Sequence, residues 1–133
     1  PILDAFNENG WTFVIGTEYL TDLSRKLGVN CIGAAVYTEK RIYVSEASAV
    51  LHEFGHFLDC TMGFPQEHKD LYALEAASAP MKQHAKSNSL EYFAEFFSYW
   101  LSGGTRTLAQ LKELTPETYA YFEELSADWI PFL

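Results

Sequence analysis

The residues best suited to chemistry in this sequence are two histidines four positions apart, in the segment His52-Glu53-Phe54-Gly55-His56. On a helix, side chains four residues apart point the same way, so the two imidazoles are spaced to hold one metal ion. Glu53 lies at the edge of the same face and could reach a water bound to that ion. Its carboxylate could take the proton of that water during attack on a carbonyl and pass it to the leaving amine. The alternative is a surface helix that carries two histidines and an acid without a metal.

A helix from Ser45, which offers an N-cap, to about Cys60 is predicted around this segment. On a helical wheel its residues separate into a polar side (His52, Glu53, His56, Asp59 and Cys60) and an apolar side (Ala47, Val50, Leu51, Phe54, Phe57 and Leu58). So broad an apolar side indicates a helix embedded in the core. Burying histidines beside two acids there is unfavourable unless a divalent cation organises them. Gly55 either lets another backbone approach closely or is merely tolerated.

A third metal ligand is needed, because a catalytic zinc site generally has three protein ligands and a water. Residues 90–101 are almost wholly apolar apart from Glu91 and Glu95, and no Lys or Arg lies between residues 88 and 104. The two acids share a helix face and repel each other, which a bound cation would relieve. We therefore expect Glu91 to be the third ligand. Glu95 would accept the N–H of a ligating histidine, more readily His52. The alternative is a solvated acidic stripe.

Other proteins with the same five-residue motif fit the sequence less well. The metzincin pattern requires Gly and His three and six residues after the second histidine, where this chain has Asp59 and Met62. Peptide deformylase uses a cysteine ligand within its own upstream motif, which is missing around Cys31. Cys31 and Cys60 could form a disulfide or bind zinc, but without a CxxC pair we expect buried free thiols. His68 lies in an acidic, polar stretch and is expected to be exposed.

Composition and charge limit the classes of protein that the chain can belong to. With 133 residues and 48% hydrophobic content, it can form one compact core, so we expect a single domain over residues 1–133. The net charge of −9 argues against a nucleic-acid partner. The sequence has no run of 18 apolar residues, so no membrane span is predicted. The chain starts without Met, which indicates a processed or excised piece of a longer protein. We expect a monomer.

The pattern of elements predicts an α+β fold. A small, mostly antiparallel sheet would pack on the motif helix, followed by a mostly helical C-terminal part. Before the motif helix we predict strands at Trp11–Tyr19, Ile32–Tyr37 and Arg41–Val44, and a helix at Leu20–Leu27 with Thr21 as a cap and Gly28 at its end. A tight turn at residues 38–40 joins the last two strands, at least one of which would be a sheet edge. After a break at Met62–Pro65 we predict helices at Glu67–Ala77, Ser89–Ser102, Leu108–Leu114 and from Thr115-Pro116 onward.

Two segments, His52–Asp59 (HEFGHFLD) and Asn88–Phe97 (NSLEYFAEFF), resemble the anthrax lethal factor-like catalytic domain. This family of gluzincin zinc proteases includes the clostridial Pro-Pro endopeptidases. The resemblance implies a thermolysin-like active site with Glu91 as zinc ligand and Glu53 as general base. Because the relatives are secreted peptidases, it also implies a secreted protein.

One position departs from the family pattern. Seven residues before the ligand glutamate the family carries a tyrosine that stabilises the tetrahedral intermediate, and here that position is His84. A histidine can donate a hydrogen bond to the oxyanion, so the role is chemically transferable. His84 could equally be an exposed loop residue without this role.

These features predict a zinc endopeptidase that acts on a peptide or protein substrate. An extended peptide would pair with an edge strand, expected at Ile32–Tyr37, whose small side chains leave room for bulky or rigid residues such as proline. A second reading is a zinc-stabilised protein-interaction domain with little hydrolytic activity. A third is a zinc amidase that acts on small non-peptide amides.

Overall fold

A small sheet followed by a run of helices makes up the structure, a computed structural model that describes residues 2–15, 18–28, 31–46 and 49–127. The described residues form three strands and seven α-helices, and the α+β class is therefore confirmed. In chain order the elements are α1 (Ile2–Glu8), β1 (Thr12–Ile15), α2 (Glu18–Leu27), β2 (Gly33–Val36), β3 (Arg41–Val44), α3 (Val50–Thr61), α4 (Gln66–Glu75), α5 (Ser89–Ser102), α6 (Thr105–Leu114) and α7 (Pro116–Ser126).

The sheet has the strand order β1-β3-β2. β2 runs antiparallel to β3, whereas β1 runs parallel to it, so the sheet is mixed instead of mostly antiparallel as predicted. The reason is the path of the chain between the strands. The connection through α2 leads from β1 to β2 at the opposite edge of the sheet, and the hairpin then reverses the chain, so that β3 runs in the same direction as β1. β2 is an edge strand, as expected for one strand of this hairpin.

The hairpin turn covers residues 37–40, one residue more than the predicted turn at 38–40, because β2 ends at Val36 and not at Tyr37. The amide of Glu39 donates to the carbonyl of Val36 over 3.2 Å, and the amide of Lys40 donates to Tyr37 over 3.3 Å. Lys40 takes the left-handed conformation, with φ of 54°. The turn therefore fixes the register of β2 against β3, in which Val36 lies opposite Arg41.

The N-terminal predictions are only partly confirmed. The strand expected over Trp11–Tyr19 is present at residues 12–15, and positions 16 and 17 lie outside the described residues. Glu18 and Tyr19 instead begin α2, so Thr21 lies inside the helix and is not its cap. An acid in the first helical turn is stabilised by the helix dipole, which favours this earlier start. α1 has no counterpart among the predicted elements.

The motif helix starts later than the sequence predicts. α3 begins at Val50, and Ala49 occupies the N-cap position without a side-chain hydrogen bond. Ser45 is not the cap, because its hydroxyl donates to the carbonyl of Ile32 over 3.2 Å and holds the end of the hairpin. Ala47, expected on the apolar side, lies outside the described residues. The predicted break after the helix is confirmed, with Gly63 at φ 78°.

α3 and α5 pack closely in the centre of the molecule, and Gly55 makes this packing feasible. A Cβ atom at position 55 would lie 2.8 Å from Cα and 3.0 Å from the carbonyl oxygen of Ala94. The close approach expected of Gly55 is therefore confirmed. Around this contact lie large side chains that are almost fully buried, among them Ile42, Phe57, Tyr92, Phe96, Phe97, Leu111 and Phe122.

The later helices agree well with their predicted positions. α5 has the predicted bounds, and α6 starts three residues before the predicted Leu108. α7 has Pro116 at its start, where a missing N–H is harmless. The Glu75 carboxylate accepts hydrogen bonds from the amides of Glu117 and Thr118, which anchors the start of α7 to the end of α4. Within the described ranges, no helix is both long and apolar enough to cross a membrane.

Candidate metal centre

Three of the side chains expected to bind metal come together between α3 and α5. Nε2 of His52 lies 2.9 Å from Oε2 of Glu91, and Nε2 of His56 lies 3.3 Å from Oε1 of the same carboxylate. One ligand atom from each residue can be chosen so that all three lie within 4.8 Å of one another. The structure thus places two nitrogens and a carboxylate around one point.

The two helices position these side chains through local features of the sequence. α3 presents both histidines on one face because they are four residues apart. Glu91 lies in the first turn of α5, which Asn88 caps by accepting a hydrogen bond from the Glu91 amide over 2.9 Å. The close contact at Gly55 sets the distance between the helices. The cap and the contact together fix where the Glu91 carboxylate meets the imidazoles.

The arrangement fits a divalent metal such as zinc. A His₂Glu donor set is one of the known catalytic zinc sets, and ligand atoms about 2.1 Å from a tetrahedral ion are roughly 3.4 Å apart. The two histidine nitrogens approach different oxygens of Glu91, at 2.9 and 3.3 Å, and one ligand atom from each of the three residues lies within 4.8 Å of the others. The residues present therefore fit a His₂Glu zinc site, in which the ligand atoms would move toward the ion.

Without a metal, His52 and Glu91 form a charged pair. Burial by itself would lower the pKa of His52, but hydrogen bonds to Glu91 and Glu95 outweigh it and raise the pKa to about 10. Burial would likewise raise the pKa of Glu91, but hydrogen bonds from His52 and His56 hold it well below its ordinary value. Oε2 of Glu95 lies 3.5 Å from Nδ1 of His52, on the side of the ring away from Glu91. Glu95 is thus placed where the sequence predicts it.

His56 has a different outer neighbour, Tyr37, which is not among the sequence-predicted site residues. The Tyr37 hydroxyl lies 3.1 Å from Nδ1 of His56. A signal for it existed in the sequence, because Tyr37 ends the predicted strand expected to border the site and carries a polar tip. Its contact with His56 depends on how β2 crosses α3, which local patterns do not reveal.

Glu53 is buried beside the start of β2. Its exposed fraction is 6%. A Cβ atom at position 33 would lie 2.9 Å from Cγ of Glu53, so only glycine fits there without displacing the carboxylate. Burial is the largest cause that raises the pKa of Glu53. Among the described residues, its Oε2 is buried and has no hydrogen-bond partner.

His84 is both exposed and next to the site. Its side chain is 81% exposed, yet its Nε2 lies 3.5 Å from Oε2 of Glu91. The short 3-10 turn that carries it, Gln83–Lys86, is anchored because the Tyr72 hydroxyl donates to the Lys86 carbonyl over 2.6 Å. His84 therefore lies at the rim of the site, where a substrate could meet it.

The expectation that His68 is exposed is wrong. The residue is 3% exposed and stacks on Phe93 with ring centroids 4.0 Å apart. Nδ1 lies 2.7 Å from Oδ1 of Asp59, and Nε2 lies 2.7 Å from the Tyr121 hydroxyl. Its sequence neighbours are polar, but α4 turns this one position inward, where Asp59 provides a buried partner. His68 is not part of the metal cluster.

The two cysteines lie apart from this cluster. Cys31 and Cys60 are free thiols of intermediate exposure, so they are less buried than expected. Among the described residues, the group that could hold a metal consists of His52, His56 and Glu91 and includes neither cysteine.

A comparison with protein families agrees with the two segments that form this site. The family model described as anthrax toxin lethal factor, N- and C-terminal domain, matches residues 8–125. A comparison with curated proteins gives no match. Since the family match extends over most of the chain, the protein belongs to the family of the anthrax toxin lethal factor N- and C-terminal domain.

Proposed function

We propose that the protein is a zinc-dependent endopeptidase that hydrolyses extended peptides. The observation that carries this proposal is the convergence of His52, His56 and Glu91 on one point, together with the unpaired carboxylate oxygen of Glu53. A site built only to stabilise the fold needs the three ligands but not a further buried carboxylate, Glu53, on the same helix as the histidines. Membership in the lethal factor domain family supports the proposal.

The chemistry would be divided between the metal and Glu53. Zinc, when bound, supplies a Lewis acid that polarises the scissile carbonyl and makes a water acidic enough to lose its proton near neutral pH. Glu53 would take that proton as the water attacks, because its carboxylate lies close enough to interact electrostatically with His52, His56 and Glu91. It then passes the proton to the leaving amine. Burial raises the pKa of Glu53, which makes it a stronger base.

The substrate would lie along β2. Among the described strands, β2 pairs with β3 alone, so its other edge could pair with an extended peptide. Gly33 lies so near Glu53 that an added Cβ would be 2.9 Å from its Cγ, so a peptide paired with this strand would pass beside the base. Ala34 and Ala35 are small enough to leave room for bulky or rigid residues. The strand is therefore compatible with proline-rich peptides.

His84 would stabilise the oxyanion that forms during the attack. It lies at the rim of the site, 3.5 Å from Glu91, on an anchored turn. An imidazole N–H at that position could donate a hydrogen bond to the developing charge.

A mixed peptide library tests the function. The zinc-loaded wild type should cleave peptides, and Glu53→Gln should bind the same amount of zinc but cleave at least about 10²-fold more slowly. The matched control is Glu113→Gln, which changes an exposed glutamate on α6 and should have wild-type activity.

Three results would contradict the proposal in different ways. Zinc-loaded wild type that leaves every peptide intact would favour the protein-interaction domain. Activity confined to small amides would favour the amidase. Full activity in Glu53→Gln would show that another group serves as the base.

A further inference from the structure

We propose that Tyr37 is a positioning residue that holds the ring of His56 in the orientation in which Nε2 faces Glu91 and the metal. The inference rests on the proposed metal site and names a residue that neither the motif nor the family match assigns. Its basis is the distance of 3.1 Å between the Tyr37 hydroxyl and Nδ1 of His56, while Nε2 of the same ring lies 3.3 Å from Glu91.

The tautomer of His56 determines which of the two groups donates the hydrogen bond in this contact. An imidazole that binds a metal through Nε2 must carry its proton on Nδ1, so Nδ1 needs a hydrogen-bond acceptor. The hydroxyl of Tyr37 is the group that the structure places there. It accepts the Nδ1–H bond and thereby fixes both the ring angle and the tautomer of His56.

The two histidines then have outer partners of different kinds. His52 faces the carboxylate of Glu95 at 3.5 Å, and His56 faces a neutral phenol. A carboxylate makes its histidine a more basic ligand than a phenol does. His52 is therefore the stronger donor, and the contribution of Tyr37 to His56 is mainly orientation.

Tyr37 is itself held firmly enough to orient another ring. Its ring packs edge-on against Trp11 and Phe64, with centroids 6.3 and 5.3 Å away. Its carbonyl accepts the hydrogen bond from Lys40 that closes the hairpin turn. The hydroxyl thus has a fixed position relative to α3, which a residue in a loose loop would lack.

The affinity for zinc, measured by competition with a chelator, tests the inference. Tyr37→Phe keeps the ring and removes only the hydroxyl, and its affinity should be about 10-fold to 100-fold weaker than that of the wild type. The matched control is Tyr43→Phe on β3, where the lost hydroxyl donates to Glu39 over 2.9 Å and does not touch the metal ligands. Its affinity should equal that of the wild type.

A spectroscopic measurement separates orientation from general stability. With cobalt in place of zinc, the visible absorption bands report the coordination geometry. They should shift in Tyr37→Phe and not in Tyr43→Phe. Metal-free Tyr37→Phe should melt within a few degrees of the wild type, because the ring and its packing remain.

Unchanged zinc affinity and unchanged cobalt bands in Tyr37→Phe would overturn the inference. Equal weakening in both tyrosine variants would overturn it as well, since any lost hydroxyl would then have the same effect. If the wild type binds zinc and cleaves peptides through Glu53 while Tyr37→Phe binds zinc normally, only this inference fails. If Tyr37→Phe weakens zinc binding and the wild type cleaves nothing, the positioning role holds and the endopeptidase proposal fails.

Discussion

His52 lies between two carboxylates, and this position determines how it can receive a metal. Glu91 lies 2.9 Å from one ring nitrogen and Glu95 lies 3.5 Å from the other. Their hydrogen bonds hold a proton on the ring at neutral pH, because the pKa of His52 is about 10. A metal takes neutral imidazole, so the metal must displace this proton.

Zinc binding at pH 7 should therefore release about one proton from His52. The sign follows from the raised pKa, since the group is protonated before binding and neutral after it. Calorimetric titrations in buffers of low and high ionisation enthalpy measure the released protons, and the apparent affinity should increase as the pH rises toward 9. Equal heats in both buffers would contradict the charged pair between His52 and Glu91.

His84 offers a second test at single-residue scale. His84→Ala should lower kcat by about 10²-fold or more, the usual effect of losing an oxyanion donor, with little change in KM. His84→Tyr should keep most of the activity, because a phenol can also donate. Steady-state kinetics on one library-derived peptide make the comparison. A wild-type kcat in His84→Ala would show that His84 is an exposed residue at the rim of the site and does not stabilise the oxyanion.

The contact between α3 and α5 is the element-scale feature on which the site depends. Two helices that pack through Gly55 bring Glu91 of one helix to the histidines of the other. The neighbouring atoms at this contact belong to the Ala94 backbone, which cannot move aside as a flexible side chain could. A small change here should therefore act on the metal site from a distance.

Gly55→Ala should destabilise the protein and weaken zinc binding together. Overpacking costs about 1–3 kcal/mol, from which the better helix propensity of Ala recovers about 1 kcal/mol. Denaturant unfolding and chelator competition measure the two effects. The control is Gly104→Ala, where no atom lies within 4 Å of the added Cβ. A Gly55→Ala variant with wild-type zinc affinity would show that the helix spacing does not set the site.

At the scale of the whole molecule, the Asp59–His68–Tyr121 network joins three helices behind the metal site. His68 on α4 bridges Asp59 on α3 and Tyr121 on α7 over 2.7 Å on each side. Asp59 is 1% exposed, so His68 is the hydrogen-bond partner of a fully buried carboxyl oxygen. The network stabilises the packing of helices without contributing a metal ligand.

His68→Ala should lower the free energy of unfolding by about 1–3 kcal/mol, because it leaves the Asp59 carboxyl buried without its hydrogen-bond partner. Replacing both residues by Leu should be less harmful than the single change, since no buried polar group of this pair is left without a partner. Chemical denaturation measures the difference. The single variant should still bind one zinc ion where it remains folded. A loss below 1 kcal/mol would contradict a structural role for the pair.

The elements around the site were predictable from sequence because their signals are local. α5 carries its own cap at Asn88 and its own stop at Gly103, and the spacing of the histidines in α3 directly encodes their common face. The burial of His68 and the contact of Tyr37 with His56 were not predictable in this way. Each depends on a partner in another element: Asp59 on α3 and Tyr121 on α7 for His68, and His56 on α3 for Tyr37. The parallel pairing of β1 likewise depends on the path of α2.

The most direct test of the central claim is an anomalous difference map, collected at the zinc absorption edge from crystals of the zinc-loaded protein. We expect one strong peak within about 2.3 Å of Nε2 of His52, Nε2 of His56 and a carboxylate oxygen of Glu91. A peak at the cysteines, or a zinc ion that the two histidines hold while Glu91 points into solvent, would contradict the account.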